Sequence, residues 1–358
     1  MSACESSRGA PMTAPSPTRA SQTWRAHAGR AALLVIGVAA VVALIHLAGL
    51  GDVARVVRRA GPVVPLLFAC EGARIALELR ATRSLYAALG AKVPIPMAAL
   101  VRAHLIGAAM TTALPAGRAV AEAYVATALA RFASPSKAAA VATVNHALAM
   151  AANALVATVC LVAVYRATGL SPLTVATLLH AGAVGSIALA LTVLSRSRRA
   201  CAAARRMARF FLAPARVRGV LRGIEATGEA CRAHRLFPWS PLVDHVVARA
   251  LQAVGVGLLL ATITGTQGAS SGRLSALRGG LLGQAVHLVG TSAGDLIPLQ
   301  LGATDGGFVL AAPLLGIGTA DAVAAALVLH GVHLAWTAVG ALVPLLWRRA
   351  PTQGSIRE

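Results

Sequence analysis

Two short stretches, Leu114-Pro-Ala-Gly-Arg-Ala-Val-Ala-Glu122 and Ile297-Pro-Leu-Gln-Leu-Gly-Ala-Thr-Asp305, decide how this chain folds. Each interrupts an apolar segment with a proline, passes a glycine and then places a carboxylate among apolar residues. Because proline lacks a backbone donor and disrupts a helix, each stretch predicts a broken helix. Inside a bilayer, broken backbone and charge are tolerated only where protein or a wet cavity surrounds them. Such breaks at corresponding positions of two halves are typical of transporter binding sites.

The composition around these breaks is that of a membrane protein. Mean hydropathy is +0.71, and 57% of the residues are hydrophobic while only 13% are charged. Soluble domains rarely combine so much apolar surface with so little charge. Apolar windows long enough to cross about 30 Å of hydrocarbon recur along the chain. They lie near residues 31–50, 62–79, 97–115, 138–164, 173–194, 242–264, 279–298 and 321–347.

The segments that follow the two breaks, 118–131 and 303–317, are too short to cross the bilayer comfortably. We therefore expect each to pair with the helix before it, which gives re-entrant hairpins over 97–131 and 279–317. This layout puts twenty-three of the thirty-three Lys and Arg residues on the cytoplasmic side and six outside. The sequence thus predicts an all-α polytopic protein with about six full spans and two oppositely oriented hairpins. The layout is compatible with an inverted repeat whose broken tips meet near the midplane.

The membrane domain is predicted over 31–347, and polar, basic segments flank it and form the cytoplasmic loop 196–235 within it. We expect residues 1–30 to be a disordered cytoplasmic segment and 348–358 to be a cytoplasmic tail. The arginine-rich stretch 196–235 fits an amphipathic helix on the anionic cytoplasmic leaflet, and equally a solvated loop that enforces topology. The net charge of +21 has no nucleic-acid recognition motif beside it, so no nucleic-acid partner is expected.

The first break supplies a candidate site for an anion. Arg118 and Glu122 share one helical face beyond the break and can pair with each other. The helix that starts near Gly117 directs free N–H groups toward the break, where they favour an anionic ligand such as phosphate. A self-neutralising ion pair at a membrane edge is the alternative. In the span before this hairpin, Arg74 either contacts substrate or pairs internally with Glu71 and Glu78.

Further candidates lie at the second break and on the first hairpin. Asp305 and Asp295 are expected to orient polar headgroup atoms or to carry a coupling proton, whereas a helix-capping role is the alternative for Asp305. Arg102 is a third candidate cation, or a partner for one of these carboxylates. The residues predicted to shape the two breaks are Pro115, Gly117, Pro298 and Gly302.

An enzymatic pattern is also present. Gly290-Thr-Ser292-Ala-Gly294 matches the Gly-x-Ser-x-Gly nucleophile signature, with His330 and His333 on a later helix. The signature requires a strand–turn–helix, whereas this segment is predicted to be helical. The two histidines have no acidic or sulfur partner nearby in sequence, so no metal is predicted. No Walker motif is present, and no cofactor is expected.

These features resemble a known family, the transmembrane region of lysylphosphatidylglycerol synthases and their stand-alone, flippase-like relatives. The resemblance spans about residues 30–347. It begins with Leu79-Arg80-Ala-Thr-Arg83-Ser-Leu85-Tyr-Ala-Ala-Leu-Gly90 and continues through Arg102-Ala-His-Leu-Ile-Gly107 into the first break. The second break resembles the family's Pro-Gly-Gly-Leu-Gly-x-x-Glu, with Leu299 and Gln300 in place of two glycines and Asp305 in place of the glutamate.

The resemblance implies a module that moves polar lipids between the leaflets of the cytoplasmic membrane. Because the chain stops shortly after its last helix, we expect it to lack the soluble synthase domain of the aminoacyl-transferring members. Membrane lipids with anionic headgroups are the expected partners, and small-residue helix faces permit a homodimer. Two alternatives stay open: a scaffold that docks a lipid-synthesis enzyme, and a membrane-embedded lipid-modifying enzyme or serine protease.

Overall fold

A computed structural model describes residues 17–88, 95–114, 117–200, 202–203, 206, 238–265, 270–295 and 297–347. Eleven α-helices account for nearly all of these residues. They are α1 (Pro17–Ala48), α2 (Leu50–Ala60), α3 (Val64–Ala88), α4 (Met97–Ala113), α5 (Gly117–Leu129), α6 (Pro135–Thr168), α7 (Pro172–Arg196), α8 (Trp239–Thr264), α9 (Ser270–Gly294), α10 (Ala303–Leu315) and α11 (Thr319–Leu346).

The protein is an all-helical, multi-pass membrane protein, which confirms the predicted fold class. Within the described ranges, five helical segments are long and apolar enough to span a bilayer. They are Leu50–Ala88, Pro135–Thr168, Pro172–Val193, Trp239–Thr264 and Thr319–Leu346. Shorter apolar helices cover Leu34–Ala48, Met97–Ala113 and Ala303–Leu315. The number of full spans and the re-entrant nature of the hairpins stay predictions.

The flanking polar regions lie mostly beyond the described ranges. Residues 1–16, most of the basic stretch 196–235 and the tail 348–358 are outside the described residues. Helix α1 starts at Pro17, earlier than the residue 31 at which we expected the first span to begin.

The first predicted break separates α4 from α5, which pack as an antiparallel hairpin. Gly107 on α4 faces Val125 and Ala121 on α5, so close contact of the two helices relies on a residue without a side chain. At the break, Leu114 is extended, with φ −110° and ψ 145°. Pro115 lies outside the described residues.

The second predicted break separates α9 from α10, and these helices form a hairpin of the same kind. A Cβ at Gly290 of α9 would lie only 2.9 Å from the Cα of Thr304 on α10. Between the helices, Pro298–Gln300 form a single 3₁₀ turn. This turn packs against α4, so the second break lies beside the first hairpin.

The remaining helices pack against the two hairpins and against one another. Helix α8 packs against α3 and α9, and Gly257 and Gly280 bring the backbones of α8 and α9 into close contact. Helix α11 packs on α4 through Gly340, whose Cα faces the carbonyl of Leu105. Small residues allow this close approach, which stabilises helix pairs where lipid provides little hydrophobic driving force.

Candidate functional site

A cavity of about 190 Å³ lies where the two helix breaks come together. The first hairpin contributes Thr111, Thr112 and Arg118 to its wall. The second hairpin and its turn contribute a larger group: His287, Leu288, Thr291, Ser292, Asp295, Leu299, Gln300 and Thr304. Both breaks therefore border one polar space, as the sequence predicted, and helices α3, α6, α7, α8 and α11 complete its wall.

Gly117 is required at the first break by a close approach of backbone. A Cβ at this position would collide with the carbonyl oxygens of Met110 and Thr111 at the end of α4. Glycine lets α5 start directly against the last turn of α4, which places Arg118 at the cavity. This close contact of backbone explains why the first break needs a glycine at position 117.

Three arginines from three helices gather at the cavity. Arg74 of α3 pairs with Glu71 at 2.6 Å and with Glu78 at 2.7 Å. Arg118 of α5 lies 3.7 Å from the same Glu78, and Arg249 of α8 lies 3.5 Å from it. Arg74 thus pairs internally with Glu71 and Glu78, which is one of the two roles predicted for it from the sequence. Three guanidinium groups thus approach two carboxylates here, and Asp295 lies on the wall of the same cavity.

Arg118 and Glu122, for which an ion pair with each other was the alternative to anion binding, have other partners among the described residues. Glu122 accepts hydrogen bonds of 3.1 and 3.3 Å from the Nδ2 atom of Asn145 on α6. The Oδ1 atom of Asn145 in turn lies 3.0 Å from Nε2 of His245 on α8. Glu122 lines a smaller neighbouring cavity of about 40 Å³, which it shares with Arg118. Tertiary packing thus gives each side chain a partner on another helix, which spacing along one helix does not reveal.

Asp305 caps the start of α10, which was the alternative role given for it above. Its Oδ2 atom accepts a 2.8 Å hydrogen bond from the N–H of Gly302, at the start of α10. Its Oδ1 atom lies 3.1 Å from Nδ1 of His330 on α11. The Asp305 side chain is almost completely buried. It does not line the cavity itself, but its partner His330 does.

The other two predicted candidates differ in position. Asp295 is exposed, lines the cavity and accepts a 3.4 Å hydrogen bond from Nε2 of Gln300. Arg102 is half-buried on α4 and lies outside the lining of the described cavities. The third arginine at the cavity wall is therefore Arg249 and not Arg102.

The turn at the second break has an unusual backbone. Leu299 has φ 61° and Gln300 has φ 55°, the only non-glycine residues with positive φ among the described residues. Gly302 follows with φ 83°. Left-handed backbone favours glycine, because a Cβ in this region is strained. The two glycines in the family pattern therefore correspond to positions where this chain holds strained leucine and glutamine, at the wall of the cavity.

Several cavity residues were not singled out from the sequence. They are Arg249, His180 and His287. Ser292 of the Gly-x-Ser-x-Gly segment was expected to act, if at all, with His330 or His333. The structure gives it a different partner, since its Oγ atom lies 2.9 Å from Nδ1 of His180 on α7. A histidine in an apolar span is the signal that would have identified His180.

The cavity also has buried polar atoms without a hydrogen-bond partner among the described residues. They include the Nε atoms of Arg118 and Arg249, Oδ1 of Asn153, Nε2 of His180, Nδ1 of His287 and Oγ1 of Thr304. Buried polar groups are almost always hydrogen-bonded in proteins, to the chain, to water or to a ligand. This concentration of unpaired donors and acceptors marks the cavity as a place for a polar guest.

Comparison with protein families matches residues 31–340 to the lysylphosphatidylglycerol synthase TM region. No curated protein and no solved structure matches the chain in the corresponding comparisons. The family match covers all helices from α2 to α10, most of α11 and both helix breaks. The resemblance found in the sequence is thereby confirmed, and the chain belongs to the lysylphosphatidylglycerol synthase TM region family.

Proposed function

We propose that this protein moves a polar lipid, with an anionic or glycosylated headgroup, between the leaflets of the cytoplasmic membrane. The headgroup occupies the cavity between the two helix breaks, and the acyl chains remain in the surrounding lipid. The observation that carries this proposal is the cluster of Arg74, Arg118 and Arg249 around two carboxylates at the cavity wall. The family match supports a lipid as the substrate class.

The arginine cluster suits a phosphate or another oxyanion. Guanidinium groups present several donors in a fixed plane and bind such oxygens in pairs. Arg118 and Arg249 each retain an unpaired Nε donor within the described part of the chain. A headgroup oxyanion would satisfy these donors. Thr304 and Asn153 offer neutral oxygens to headgroup hydroxyls on the same wall.

Retention of this much charge among apolar helices argues for a role beyond structure. Ionisable groups in membrane helices carry a free-energy cost and generally mark substrate or ion pathways. A scaffold that only docks a lipid-synthesis enzyme has no need of a polar cavity between its helices. It would tolerate neutral substitutions there and depend instead on its exposed basic residues.

Transport is tested by a leaflet assay. Purified protein is reconstituted into vesicles that contain headgroup-labelled anionic, neutral or glycosylated lipid, and an impermeant quencher reports the outer-leaflet fraction over time. We expect faster exchange than in protein-free vesicles, with preference for headgroups that carry an oxyanion. Absence of exchange for every lipid, with folded protein, would contradict the proposal and favour the scaffold.

A second candidate function is a serine-dependent modification of lipid, favoured by the 2.9 Å contact of Ser292 and His180 at the cavity wall. An imidazole in this position can accept the hydroxyl proton as a general base. The test is covalent labelling by a fluorophosphonate probe, with Ser292→Ala as control. Labelling that Ser292→Ala removes supports the enzyme, and an unlabelled wild-type protein excludes a reactive serine of this type.

A further inference from the structure

Helix α11 presents two histidines to the cavity from one face. His330 and His333 are three residues apart, which puts them on neighbouring turns of the same side. Both line the cavity described above. The proposed headgroup site does not use them, and each approaches a carboxylate from a different helix.

The first pair joins His330 to the second helix break. Nδ1 of His330 lies 3.1 Å from Oδ1 of Asp305. The other carboxylate oxygen of Asp305 accepts the N–H of Gly302 at 2.8 Å, so this carboxylate also holds the start of α10. The charge on this pair is therefore linked directly to the strained turn that closes one side of the cavity.

The second pair joins His333 to the arginine cluster. Nε2 of His333 lies 4.0 Å from Oε2 of Glu71, whose other oxygen, Oε1, binds Arg74 at 2.6 Å. The ring of His287 on α9 lies 5.8 Å from the ring of His333, centroid to centroid. Titratable groups thus extend from the second break, along the cavity wall, to the arginines.

The groups that surround these histidines come from the helices packed on α11. The charged and titratable side chains on that wall are Glu71 and Arg74 of α3, Arg249 of α8, His287 of α9 and Asp305 of α10. Helices α1 and α2 meet α11 through an apolar cluster, and α4 meets it through Leu105 and Ala109 at Gly340. The two histidine–carboxylate pairs therefore have the polar cavity on one side and the apolar contacts of α11 with α1, α2 and α4 on the other.

We propose that the pairs His330–Asp305 and His333–Glu71 form a proton-binding site that couples lipid movement to a proton gradient. The inference rests on the proposed function and extends it to the energy source. Imidazole is the side chain whose charge changes most readily near neutral pH, and Asp, Glu and His chains in membrane proteins serve as proton relays. A proton that neutralises Glu71 releases the Nε and Nη2 atoms of Arg74 for a headgroup oxyanion, while Nη1 stays bound to Glu78. Proton and anionic lipid therefore favour each other's binding.

The test uses the distribution of lipid at steady state, which does not depend on the rate of exchange. Vesicles that contain wild-type protein and a labelled anionic lipid are given a gradient of one pH unit, with the membrane potential clamped by potassium and an ionophore. If one proton moves with each lipid, we expect the ratio of labelled lipid in the two leaflets to change by up to about ten-fold. Without a gradient the ratio stays near its equilibrium value.

Two variants assign the effect to these pairs. In His330→Gln/His333→Gln, and in Asp305→Asn, which keeps an oxygen able to cap Gly302, we expect the ratio to stay unchanged by the gradient. His46→Gln on α1, outside the lining of the cavity, should respond as the wild type does. Variants that respond fully would contradict the assignment to these pairs.

The wild-type protein separates the two proposals. Lipid exchange that proceeds normally but ignores the pH gradient would overturn proton coupling and leave the proposed function intact. Failure of the folded wild-type protein to exchange any lipid would contradict the proposed function, and proton coupling with it.

Discussion

The guanidinium of Arg118 lies 3.7 Å from the carboxylate of Glu78, which joins the first helix break to α3. Arg74 and Arg249 approach the same carboxylate at 2.7 and 3.5 Å. One carboxylate thus lies within 4 Å of three cations from three helices, and Glu71 adds a second carboxylate through Arg74. An anionic headgroup would complete this arrangement, because it would accept hydrogen bonds from the Nε donors of Arg118 and Arg249, which have no partner among the described residues.

The contrast between two arginines tests whether the cavity is the site. Arg249 lines the cavity and Arg102 does not, although the sequence suggested Arg102. We expect Arg249→Gln to slow exchange of an anionic lipid by about ten-fold, which corresponds to about 1.4 kcal/mol. Arg102→Gln should keep a rate close to that of the wild type. The measurement is the initial rate in the leaflet assay at equal protein density, and equal losses in both variants would contradict the assignment.

The shared carboxylate predicts a stability effect. Glu78→Gln leaves three arginines with one carboxylate, and removal of one partner from a buried ion pair costs about 3–5 kcal/mol. We expect the apparent melting temperature in detergent to decrease by roughly 5 °C or more.

The matched control for this variant is an exposed ion pair. Asp52 and Arg55 pair at 3.0 Å, with side chains 56% and 67% exposed. Because exposed pairs contribute about 0–1 kcal/mol, Asp52→Asn should leave the melting temperature nearly unchanged. A Glu78→Gln protein as stable as Asp52→Asn would show that the cluster is not held by this carboxylate.

The strained turn makes a prediction at Leu299. With φ 61° and ψ 2°, this residue occupies left-handed backbone, which costs a non-glycine residue roughly 1–2 kcal/mol. Leu299→Gly relieves that strain but adds about 0.5–1 kcal/mol of unfolded-state entropy. We therefore expect the melting temperature to stay the same or to increase slightly.

Gly302→Ala is the opposite change in the same turn. Gly302 has φ 83°, and a Cβ there would lie 3.0 Å from the Cβ of Ala40 on α1. This variant should melt clearly below the wild type in detergent. If Leu299→Gly destabilises the protein more than Gly302→Ala does, the described backbone of the turn is wrong.

Helix packing is tested by two glycines on α11. A Cβ at Gly340 would collide with the carbonyl of Leu105 and lie 2.9 Å from the Cβ of Ala109, whereas Gly331 has open space around it. Gly340→Ala should separate α11 from α4 and lower the melting temperature. Gly331→Ala should be neutral or slightly stabilising, because alanine favours a helix over glycine by up to about 1 kcal/mol. Thermal unfolding in detergent compares the two, and equal stability would contradict the close α4–α11 contact.

Much of the fold could be predicted because apolar length and helix breakers act locally. The windows near 138–164 and 242–264 lie inside α6 and α8, and both predicted breaks separate helices. The charge bias also predicted hairpins of opposite orientation whose broken tips meet, and residues beside both breaks line one cavity in the structure. These features depend on periodicity, proline and arginine distribution, all of which are visible in one chain.

The partners of the charged residues could not be predicted. Arg118 meets Glu78, and Asp305 meets His330, because of how separate helices rotate and pack. Sequence spacing only shows which residues share a face of one helix, so the one partner that it offered for Arg118 on the same helix was Glu122. Arg249 could have been recognised from its central position in an apolar helix, but nothing in the sequence placed it beside the first break.

The most direct test of the central claim is the rate of leaflet exchange of a headgroup-labelled anionic lipid in vesicles that contain wild-type protein or Arg118→Ala. The account predicts fast exchange in the wild type and a rate near that of protein-free vesicles in Arg118→Ala, with both proteins folded to the same extent by size-exclusion and thermal unfolding. Equal rates in the two proteins would contradict the assignment of the cavity as the headgroup site.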